Sequence, residues 1–381
     1  MAAERTLHVA VACGGTGGHL YPGMATAEAL RARGHRVTLW LTGRSTERAA
    51  HEAWGGAIVE IAAQGFPEGD RMGWLPRAGR MAKTAWRCRA AMRADRPDVL
   101  LAMGSYASAG PCFAAWSLRV PFVLHEANVI PGRAVRLFSH GAAAVAAGFE
   151  ECRFYLRQAR VEAIGIPLRG ELAEEARMAR LAREKAPAAS PSGPFRLLVA
   201  GGSLGAHHLN EVAAAAAVRL AAREDWRGRL RVTHLTGSAD EAAIRAVYEA
   251  GGVEADVRAF GHDMGRLYAA ADFAICRAGG STCAELSAFG VPALLVPYPH
   301  AANDHQTANA RALAKRGAVD LAADRDLAAE WLEDYLATVG RDAARRARMR
   351  EAACLHGIAD GTGPLADLLE RVGRGAGGAK K

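Results

Sequence analysis

The sequence comprises 381 residues, of which 50% are hydrophobic, and it carries a formal net charge of +8. This length exceeds what one hydrophobic core usually holds, so two domains are expected. The basic balance favours partners with negative charge, such as phosphates, nucleic acid or an anionic membrane surface, although a genome bias toward arginine and alanine explains it equally well.

The cysteine pattern and the hydropathy of the sequence argue against a secreted, zinc-binding or membrane-spanning protein. The seven cysteines form no CxxC pair, which favours free thiols in a reducing cytosol over disulfides or a zinc site. The apolar stretch at 7–13 is too short and wrongly flanked for a signal peptide. A membrane-spanning helix needs about 18 apolar residues in a row, and the sequence has no such run. We therefore expect a cytoplasmic protein that can contact a membrane face.

The first half of the chain alternates apolar strands with amphipathic helices. Buried parallel strands are predicted at 7–13, 36–42, 57–62, 98–104 and 121–127. This alternation is typical of a doubly wound α/β sheet. Alanine, proline, serine and glycine interrupt the pattern at 184–195, so we place a first domain at 1–175 and a linker at 176–194.

The second half repeats the plan of the first. Residues 195–210 again predict a strand, a glycine loop and a helix, and further strands are predicted at 231–237, 257–261, 273–280 and 292–299. Two Rossmann-like halves imply two sheets facing a cleft, with ligands at the carboxyl ends of the strands. The second domain is placed at 195–355, and the glycine-rich tail at 373–381 is predicted to be disordered.

The first glycine loop, GGTGGH at 14–19, indicates an anion site. A loop that enters a helix offers unpaired backbone N–H groups, and glycines let an anion come close. The loop does not match the GxGxxG pattern, and no Walker lysine follows it, so neither a dinucleotide enzyme nor a P-loop kinase is supported. His19 closes the loop, where its side chain would project over the cleft. The alternative is a helix-entry histidine bonded to backbone.

A third glycine site lies at 276–299. Glu285 is predicted in the first turn of the helix that follows Gly279 and Gly280, where a carboxylate accepts two hydrogen bonds from a vicinal diol such as ribose. The alternative is a capping box with Ser281 or Thr282, worth about 0.3–1 kcal/mol. Downstream, Gln306 and Asn309 share a helix face, and their amides suit either sugar hydroxyls or a plain helix start.

With these motifs established, the chain resembles the MurG family. The shared motifs are GGTGGHLYPGMATA at 14–27, MGSYASAGP at 103–111, LHEANVIPG at 124–132, IPLR at 166–169, GGSLGAHHLN at 201–210 and the long stretch at 277–310. Members of this family transfer N-acetylglucosamine from UDP-GlcNAc to lipid-linked muramyl-pentapeptide, which converts lipid I to lipid II. The resemblance implies an α/β GT-B fold, in which the C-terminal domain binds the donor, the N-terminal domain binds the acceptor and a last helix, at 356–372, returns to the first domain.

The resemblance also implies roles for individual residues. On the acceptor side it assigns His19, Tyr106 and Glu126. Three positions depart from the family pattern, namely Leu204, where Gln is common, Ile166, where Asn is usual, and Ala284, where Ser is frequent. The donor contacts it implies are Thr16, Gly17, Gly18, Asn128, Arg169, Ser203, Gly261, Gly280, Ser281, Thr282, Cys283, Ala284, Glu285 and Gln306.

The implied reaction inverts the anomeric carbon, because an α-linked donor yields a β(1→4) product. It needs a base for the C4 hydroxyl of the acceptor and a site that stabilises UDP. We assign His19 as the base and keep Glu126 as the alternative, with UDP held by backbone N–H groups of 202–205, Ser203 and Arg169. The D-x-D string at 324–326 is interpreted as a helix start, so no protein-bound metal is expected, although Mg²⁺ in solution could assist.

Two other classes of function remain open at this stage. One is another UDP-sugar enzyme of the same fold, such as a glycolipid synthase or a UDP-GlcNAc 2-epimerase. The other is a non-catalytic scaffold of a cell-wall complex. A scaffold would be expected to have lost His19 or Glu285, and this sequence retains both.

A basic segment at 71–93 predicts contact with the cytoplasmic face of the inner membrane. It contains seven basic residues and no acidic one, with Trp74 and Leu75 in a predicted exposed loop before Pro76. A helical stripe that includes Met81, Cys88 and Met92 follows; such a stripe more often packs into a core. Tryptophan among basic residues favours the lipid headgroup region. The predicted membrane contacts are Trp74, Leu75, Arg77, Arg80 and Trp86.

Overall fold

The computed structural model describes residues 5–44, 47–61, 74–185, 193–202 and 206–378, with the side chains at 49, 74–78, 185 and 376–378 outside the description. Its contacts divide the chain into two compact units. The first holds the described residues up to Arg169 and from Asp360 onward, and the second holds Gly170–Ala359. Each unit has its own parallel sheet and its own hydrophobic core.

The sheet of the first unit is doubly wound. Its strands among the described residues are β1 His8–Ala12, β2 Arg36–Leu41, β3 Ala57–Glu60, β4 Val99–Ala102, β5 Phe122–Glu126, β6 Ala144–Ala147 and β7 Val161–Ala163. They lie in the order β3-β2-β1-β4-β5-β6-β7, with every neighbouring pair parallel. The direction of winding reverses between β1 and β4, so the loops after these two strands diverge at the carboxyl edge, where such sheets bind ligands.

Helices cover both faces of this sheet. They are α1 Gly17–Ala32, α2 Arg48–Trp54, α3 Trp74–Ala94, α4 Ala109–Ser117 and α5 Arg133–Phe138. Val9 and Val11 of β1 point into a core with α1, whereas Ala10 and Ala12 point into a second core with α3 and α4. Burial on both faces explains why most of the strands appear in the sequence as largely apolar runs instead of alternating ones.

The second unit repeats this topology with six strands in its described residues. The strands are β8 Phe195–Ala200, β9 Leu230–Leu235, β10 Ala255–Arg258, β11 Phe273–Cys276, β12 Ala293–Leu295 and β13 Val319–Leu321, in the order β10-β9-β8-β11-β12-β13. Its helices are α6 Gly170–Lys185, α7 His207–Ala222, α8 Glu241–Ala250, α9 Met264–Ala270, α10 Gly280–Phe289, α11 His305–Lys315, α12 Ala329–Arg341 and α13 Ala343–His356. The winding reverses between β8 and β11, which marks the ligand edge of this unit.

The C-terminal helix, α14 Thr362–Gly378, belongs to the first unit and packs against α1. Its apolar face, which includes Leu365 and Leu369, is fully buried in the core that β1 shares with α1. At its polar edge Glu370 lies 3.1 Å from both Arg33 Nη1 and His35 Nε2. The last helix that the structure describes therefore packs on the unit that contains β1.

The observed boundaries differ from the predicted ones. The first unit ends at Arg169, not at 175, and 176–185 forms part of α6 instead of a linker. Helix α6 is anchored in the second unit because Leu172 and Ala176 are buried and Arg183 donates hydrogen bonds to the carbonyls of Phe289, Tyr268 and Ala269 at 2.5, 3.0 and 2.8 Å. Likewise, α14 begins at Thr362 instead of 356 and continues through 373–378, part of the tail predicted to be disordered.

The basic segment forms a helix from Trp74 onward, so the loop predicted before Pro76 is wrong. Proline is tolerated in a first helical turn because the N–H it lacks would have no partner there. Trp86 is 69% exposed, whereas Cys88 and Met92 are fully buried against the sheet. The predicted stripe is thus core in its C-terminal half, while Arg80 and Trp86 face solvent. The side chains of Trp74, Leu75 and Arg77 lie outside the described residues.

In the part of the chain that the structure describes, no helix is long and apolar enough to cross a bilayer.

Candidate active site

The first glycine loop joins β1 to α1 at the ligand edge of the first unit. Gly15 has φ +129°, a backbone conformation that favours glycine. Thr16 stands at the N-cap of α1, but its side chain makes no capping bond. Its Oγ1 lies instead 3.0 Å from Nδ1 of His19. The side chain of Thr16 therefore fixes one nitrogen of the histidine.

His19 packs against the neighbouring loop, which follows β4. A methyl group added at Gly104, which has φ +90°, would lie 3.5 Å from Cδ2 and Nε2 of the imidazole. Burial among these groups lowers the pKa of His19 to about 4. The ring is therefore neutral at pH 7 and has a nitrogen lone pair with which to accept a proton.

Glu126, the other predicted base, ends β5 and is buried. Its Oε1 accepts hydrogen bonds from the backbone N and the Nδ2 of Asn128, at 2.9 and 3.0 Å, and its Oε2 accepts one from the backbone N of Gly132 at 2.8 Å. Burial raises the pKa of this carboxyl, and the hydrogen bonds from Gly132 and Asn128 oppose that shift. The carboxylate thus holds the loop after β5 in shape, and Asn128 is part of the same arrangement.

The remaining predicted residues of the first unit lie nearby or farther along the sheet. Tyr106 follows β4 and is 36% exposed, with the guanidinium of Arg44 5.3 Å from its ring centre. Arg169 comes after β7 and lies over the ring of Tyr21 on α1, at 5.0 Å. The structure thus gathers Thr16, Gly17, Gly18, His19, Tyr106, Glu126 and Asn128 around the carboxyl ends of three adjacent strands, β1, β4 and β5.

In the second unit, Glu285 is in a different position from the one predicted. Helix α10 begins at Gly280, so Glu285 is its sixth residue and lies in the second turn. The N-cap residue is Gly279, and no side chain caps the helix, so the capping-box alternative with Ser281 or Thr282 is wrong. Instead, Oη of Tyr268 on α9 donates a hydrogen bond to Oε2 of Glu285 at 2.9 Å. The carboxylate is therefore oriented by a neighbouring helix.

Gln306 and Asn309 fix backbone around the same edge. Oε1 of Gln306 accepts hydrogen bonds from the backbone N of Ala278 at 3.2 Å and of Tyr298 at 2.9 Å. Asn309 is fully buried and donates from Nδ2 to the carbonyl of Ala278 at 3.0 Å. Asn309 is thus a structural residue, and Gln306 retains only its amide nitrogen for a ligand.

The other predicted donor residues divide into four groups. Gly280, Ser281 and Thr282 form the first turn of α10, whose N–H groups lack partners within the helix. Cys283 and Ala284 have fully buried side chains, so only their backbone could meet a ligand. Gly261 follows β10, where a side chain would collide with Met264 and Leu235. Ser203 lies outside the described residues.

The D-x-D string forms a short 3-10 turn at Asp324–Asp326. Asp324 pairs with Arg277 at 2.5 Å and lies 3.3 Å from Nδ1 of His208, so its carboxylate already has partners within the protein. Among the described residues, no three His, Cys, Asp or Glu side chains are grouped to hold a metal ion. Whether the reaction needs a metal ion stays a prediction.

Comparison with known proteins places the chain in a family. Residues 9–147 match the N-terminal domain of glycosyltransferase family 28, and residues 196–363 match its C-terminal domain. A UDP-N-acetylglucosamine–N-acetylmuramyl-(pentapeptide) pyrophosphoryl-undecaprenol N-acetylglucosamine transferase of Thiobacillus denitrificans is 39% identical, over 98% of this chain and 100% of that protein. The transferase of the same name from Geobacter sulfurreducens is 37% identical, over 90% of this chain and 92% of that protein. The chain belongs to the MurG family.

Solved structures agree with this assignment. MurG from Acinetobacter baumannii superposes with a TM-score of 0.77 at 27% identity, covering 96% of this chain and 99% of that one. The predicted family and GT-B fold class are therefore confirmed, and so is the prediction of a hexosyltransferase. A putative UDP-N-acetylglucosamine 2-epimerase from Listeria monocytogenes gives a TM-score of 0.63 at 14% identity over 95% of this chain and 94% of that one, a likeness that concerns the fold alone.

Two residues of this MurG-family site were missed by sequence reasoning. Glu47, directly before α2, binds the first glycine loop, and Tyr268 on α9 binds Glu285. Neither lies in a glycine motif, and each reaches its partner from an element distant in sequence. In the sequence, Glu47 is an acidic residue before a short helix and Tyr268 is a tyrosine within one, and neither pattern indicates a specific chemical role.

Proposed function

We propose that the protein transfers N-acetylglucosamine from UDP-GlcNAc to the C4 hydroxyl of lipid-linked muramyl-pentapeptide, converting lipid I to lipid II in peptidoglycan synthesis. The observation that carries the proposal is the 39% identity over nearly the full length of a transferase named for this reaction. The geometry is consistent with it, because both units present their glycine loops at the ligand edge of a doubly wound sheet.

His19 is the better candidate for the base that takes the proton of the C4 hydroxyl. Its imidazole is neutral at pH 7 and so has a nitrogen lone pair that can accept a proton, and its Nδ1 is fixed by Thr16 at 3.0 Å. Glu126 already accepts three hydrogen bonds from its own loop, so a proton transfer to it would disrupt that loop. The proton therefore moves to His19 as the acceptor oxygen attacks the anomeric carbon from the face opposite UDP.

The donor is held mainly by the second unit. Glu285 accepts hydrogen bonds from the ribose hydroxyls, and the unpaired N–H groups at the start of α10 face anionic or hydroxyl oxygens. Backbone N–H groups after β8, near Gly202, stabilise the negative charge that develops on UDP as it leaves, with Ser203 and Arg169 as further candidates. This scheme uses no metal ligand from the protein, and Mg²⁺ from solution would assist only by neutralising the diphosphate.

The acceptor is anchored to a membrane by its polyprenyl chain, so the enzyme has to work at a membrane surface. We propose peripheral binding through α3, where Trp86 is 69% exposed and Arg80, Lys83 and Arg87 face solvent. Helix α4 packs on α3 and exposes 62% of Trp116. Basic and amphipathic aromatic side chains together favour an anionic headgroup region, as at the cytoplasmic face of the inner membrane.

A turnover assay tests the function directly. Purified protein is incubated with UDP-[¹⁴C]GlcNAc and a lipid I analogue, and the lipid and nucleotide fractions are separated. Label in a disaccharide-containing lipid is the expected result. Label that stays in a UDP-sugar with altered stereochemistry would indicate an epimerase, and label in a different glycolipid would indicate another transferase. Absence of any product would favour the alternative that the protein is a non-catalytic scaffold of a cell-wall complex.

A further inference from the structure

Glu47 is a buried carboxylate with four hydrogen bonds. Its side chain sits directly before α2, yet it makes no capping bond to that helix. Oε1 accepts from the backbone N of Gly15 at 2.8 Å and from Oγ1 of Thr42 at 2.5 Å. Oε2 accepts from the backbone N of Thr42 at 2.8 Å and of Gly43 at 3.0 Å. Only 1% of the residue is exposed, so these bonds are shielded from water.

These bonds join the ends of two adjacent strands. Thr42 and Gly43 follow β2, whereas Gly15 lies in the loop that follows β1. On the other side of β1, Oγ of Ser105 after β4 donates to the carbonyl of Gly14 at 3.3 Å. The glycine loop is therefore held from both neighbouring strands, and the charged carboxylate supplies the stronger hold, because hydrogen bonds to an ionised group are about twice as strong as neutral ones.

We propose that Glu47 is a positioning residue for the transfer reaction: its carboxylate fixes the first glycine loop so that His19 stands in line with the acceptor hydroxyl. The inference rests on the proposed function of His19 as the base. His19 lies only four residues beyond Gly15, and its Nδ1 is fixed by Thr16 of the same loop. A displacement of the loop is therefore passed to the imidazole.

The substitution Glu47→Gln removes this arrangement with almost no change in volume. A carboxamide has one oxygen and one NH₂ group, so its nitrogen faces backbone N–H donors in either orientation. One orientation places the NH₂ group against the backbone N–H of Gly15, and the other places it against those of Thr42 and Gly43. Glu60→Gln is the matched control, because Glu60 ends the adjacent strand β3 but is 55% exposed and pairs with His51 at 3.3 Å.

The expected result is a selective loss of kcat. A small displacement of a catalytic group costs on the order of 10²-fold in rate, so Glu47→Gln should lower kcat by about that factor while the KM for UDP-GlcNAc changes less than about twofold. Glu47→Asp, which keeps the charge on a shorter side chain, should give an intermediate kcat. Glu60→Gln should match the wild type. A wild-type kcat in Glu47→Gln, or a rise in donor KM alone, would overturn the proposal.

A second measurement keeps the inference separate from the proposed function. The pKa of His19 is followed by NMR titration of ¹⁵N-histidine-labelled protein, with the resonance assigned from the His19→Ala spectrum. A loosened loop admits water to the imidazole, so Glu47→Gln should move the pKa from about 4 toward 6.5, and Glu60→Gln should not. An unchanged pKa in folded Glu47→Gln protein would show that Glu47 does not position His19. Absence of product with the wild type would reject the proposed function alone.

Discussion

Tyr268 directs its hydroxyl at Glu285, with Oη of the tyrosine 2.9 Å from Oε2 of the carboxylate. The tyrosine is 1% exposed, and burial together with the nearby Glu285 raises its pKa well above the usual value, so it remains a hydrogen-bond donor at any working pH. One carboxylate oxygen of Glu285 is therefore held in place by α9. A carboxylate fixed in this way can bind a diol with little loss of side-chain entropy.

Glu285→Ala should weaken donor binding. Loss of a charge-assisted hydrogen bond costs about 1.5–3 kcal/mol, so the KM for UDP-GlcNAc should rise by the corresponding factor, about 10- to 150-fold. Initial rates at varied UDP-GlcNAc and saturating lipid I analogue measure the effect. Glu249→Ala on α8, an exposed helical glutamate, is the control and should behave as wild type. An unchanged donor KM in folded Glu285→Ala protein would contradict the ribose assignment.

Tyr268→Phe should act on the same step through Glu285. The ring remains packed against Phe289, whose centre lies 5.4 Å away, so the core is retained. The donor KM should rise severalfold, less than in Glu285→Ala, with kcat nearly unchanged. In the double variant Tyr268→Phe/Glu285→Ala, the tyrosine change should add nothing further to KM. Additive effects of the two changes on KM would mean that Tyr268 acts independently of Glu285.

The long strands and the glycine loops could be predicted because each carries a strong local signal. Strands β1, β2, β5 and β8 are largely apolar, and glycine or polar residues follow within two positions of each. The sequence did not predict β6, β7 or β13. These strands have four, three and three residues, and β6 is mostly alanine, so their structure depends on pairing with a neighbour instead of on local preference.

The candidate site was only partly predictable for a related reason. His19, Glu126 and Glu285 are attached to motifs, but what each side chain does depends on partners elsewhere in the chain. Glu47 lies 32 residues from Gly15, and Tyr268 lies 17 from Glu285. No periodicity or spacing links such pairs, because the parallel topology alone brings them together. The position of Glu285 in the second turn of α10 likewise depends on the residue at which the helix begins. A sequence specifies such helix boundaries only weakly.

His19→Ala should impair the chemical step. Loss of a general base typically lowers kcat by about 10²–10⁴-fold, with UDP-GlcNAc binding almost intact. Because the pKa of His19 is lowered to about 4, the base stays deprotonated in mildly acidic solution. Wild-type kcat/KM for the lipid I analogue should therefore fall only as the pH approaches that value, instead of near 6.5. Steady-state kinetics from pH 8 to about pH 5 measure the loss of kcat and show whether kcat/KM stays level through pH 6.5, as expected.

The control is His140→Ala, which removes an exposed histidine that lies 3.0 Å from Gln158. It should leave kcat and its pH dependence unchanged. Near-normal turnover by His19→Ala would reject the assignment and make Glu126 the base. In that case Glu126→Gln should abolish turnover while the protein remains folded.

Two fully buried histidines should make stability depend on pH. Burial lowers the pKa of His125 and of His234 to about 4, below the ordinary value of 6.5. The unfolded chain therefore binds more protons than the folded one between these values. Stability is fully present above about pH 6.5 and falls as the pH drops toward 4, by about 3 kcal/mol for each histidine. Urea unfolding at pH 7.5, 6, 5 and 4.5 measures this loss.

The variant His234→Gln tests whether the loss of stability at acid pH comes from the buried histidines. His234 links Tyr248 Oη at 2.9 Å and Asn210 Oδ1 at 3.2 Å, so its replacement should lower stability at pH 7.5. The remaining loss between pH 6.5 and 4.5 should nevertheless be smaller than in the wild type, because one titrating group is gone. His140→Gln should leave the slope unchanged. A wild-type slope in His234→Gln would assign the acid sensitivity to other groups.

Membrane binding should depend on the exposed tryptophans and basic residues of α3 and α4. Each basic residue near an anionic surface contributes about 1 kcal/mol, and salt reduces that contribution. Trp86 and Trp116 add amphipathic ring surface on two helices that pack directly, since Gly110 of α4 meets Thr84 and Cys88 of α3. Lys83→Glu/Arg87→Glu and Trp86→Ser/Trp116→Ser should each reduce co-sedimentation with phosphatidylglycerol vesicles at 0.05 M salt, in which screening is weak.

Controls of the same chemistry come from the second unit. Arg227→Glu/Arg348→Glu reverses two exposed basic residues there, and Trp331→Ser removes a tryptophan that is 44% exposed. Both variants should bind vesicles as the wild type does, because the proposed membrane contact lies on α3 and α4 and does not depend on the total charge or the total exposed aromatic surface of the protein. Lys83→Glu/Arg87→Glu should abolish the salt dependence of vesicle binding. Trp86→Ser/Trp116→Ser should weaken vesicle binding but leave its salt dependence unchanged. Equal loss in the control variants would mean that binding follows net charge, and no loss in any variant would place the membrane contact outside α3 and α4.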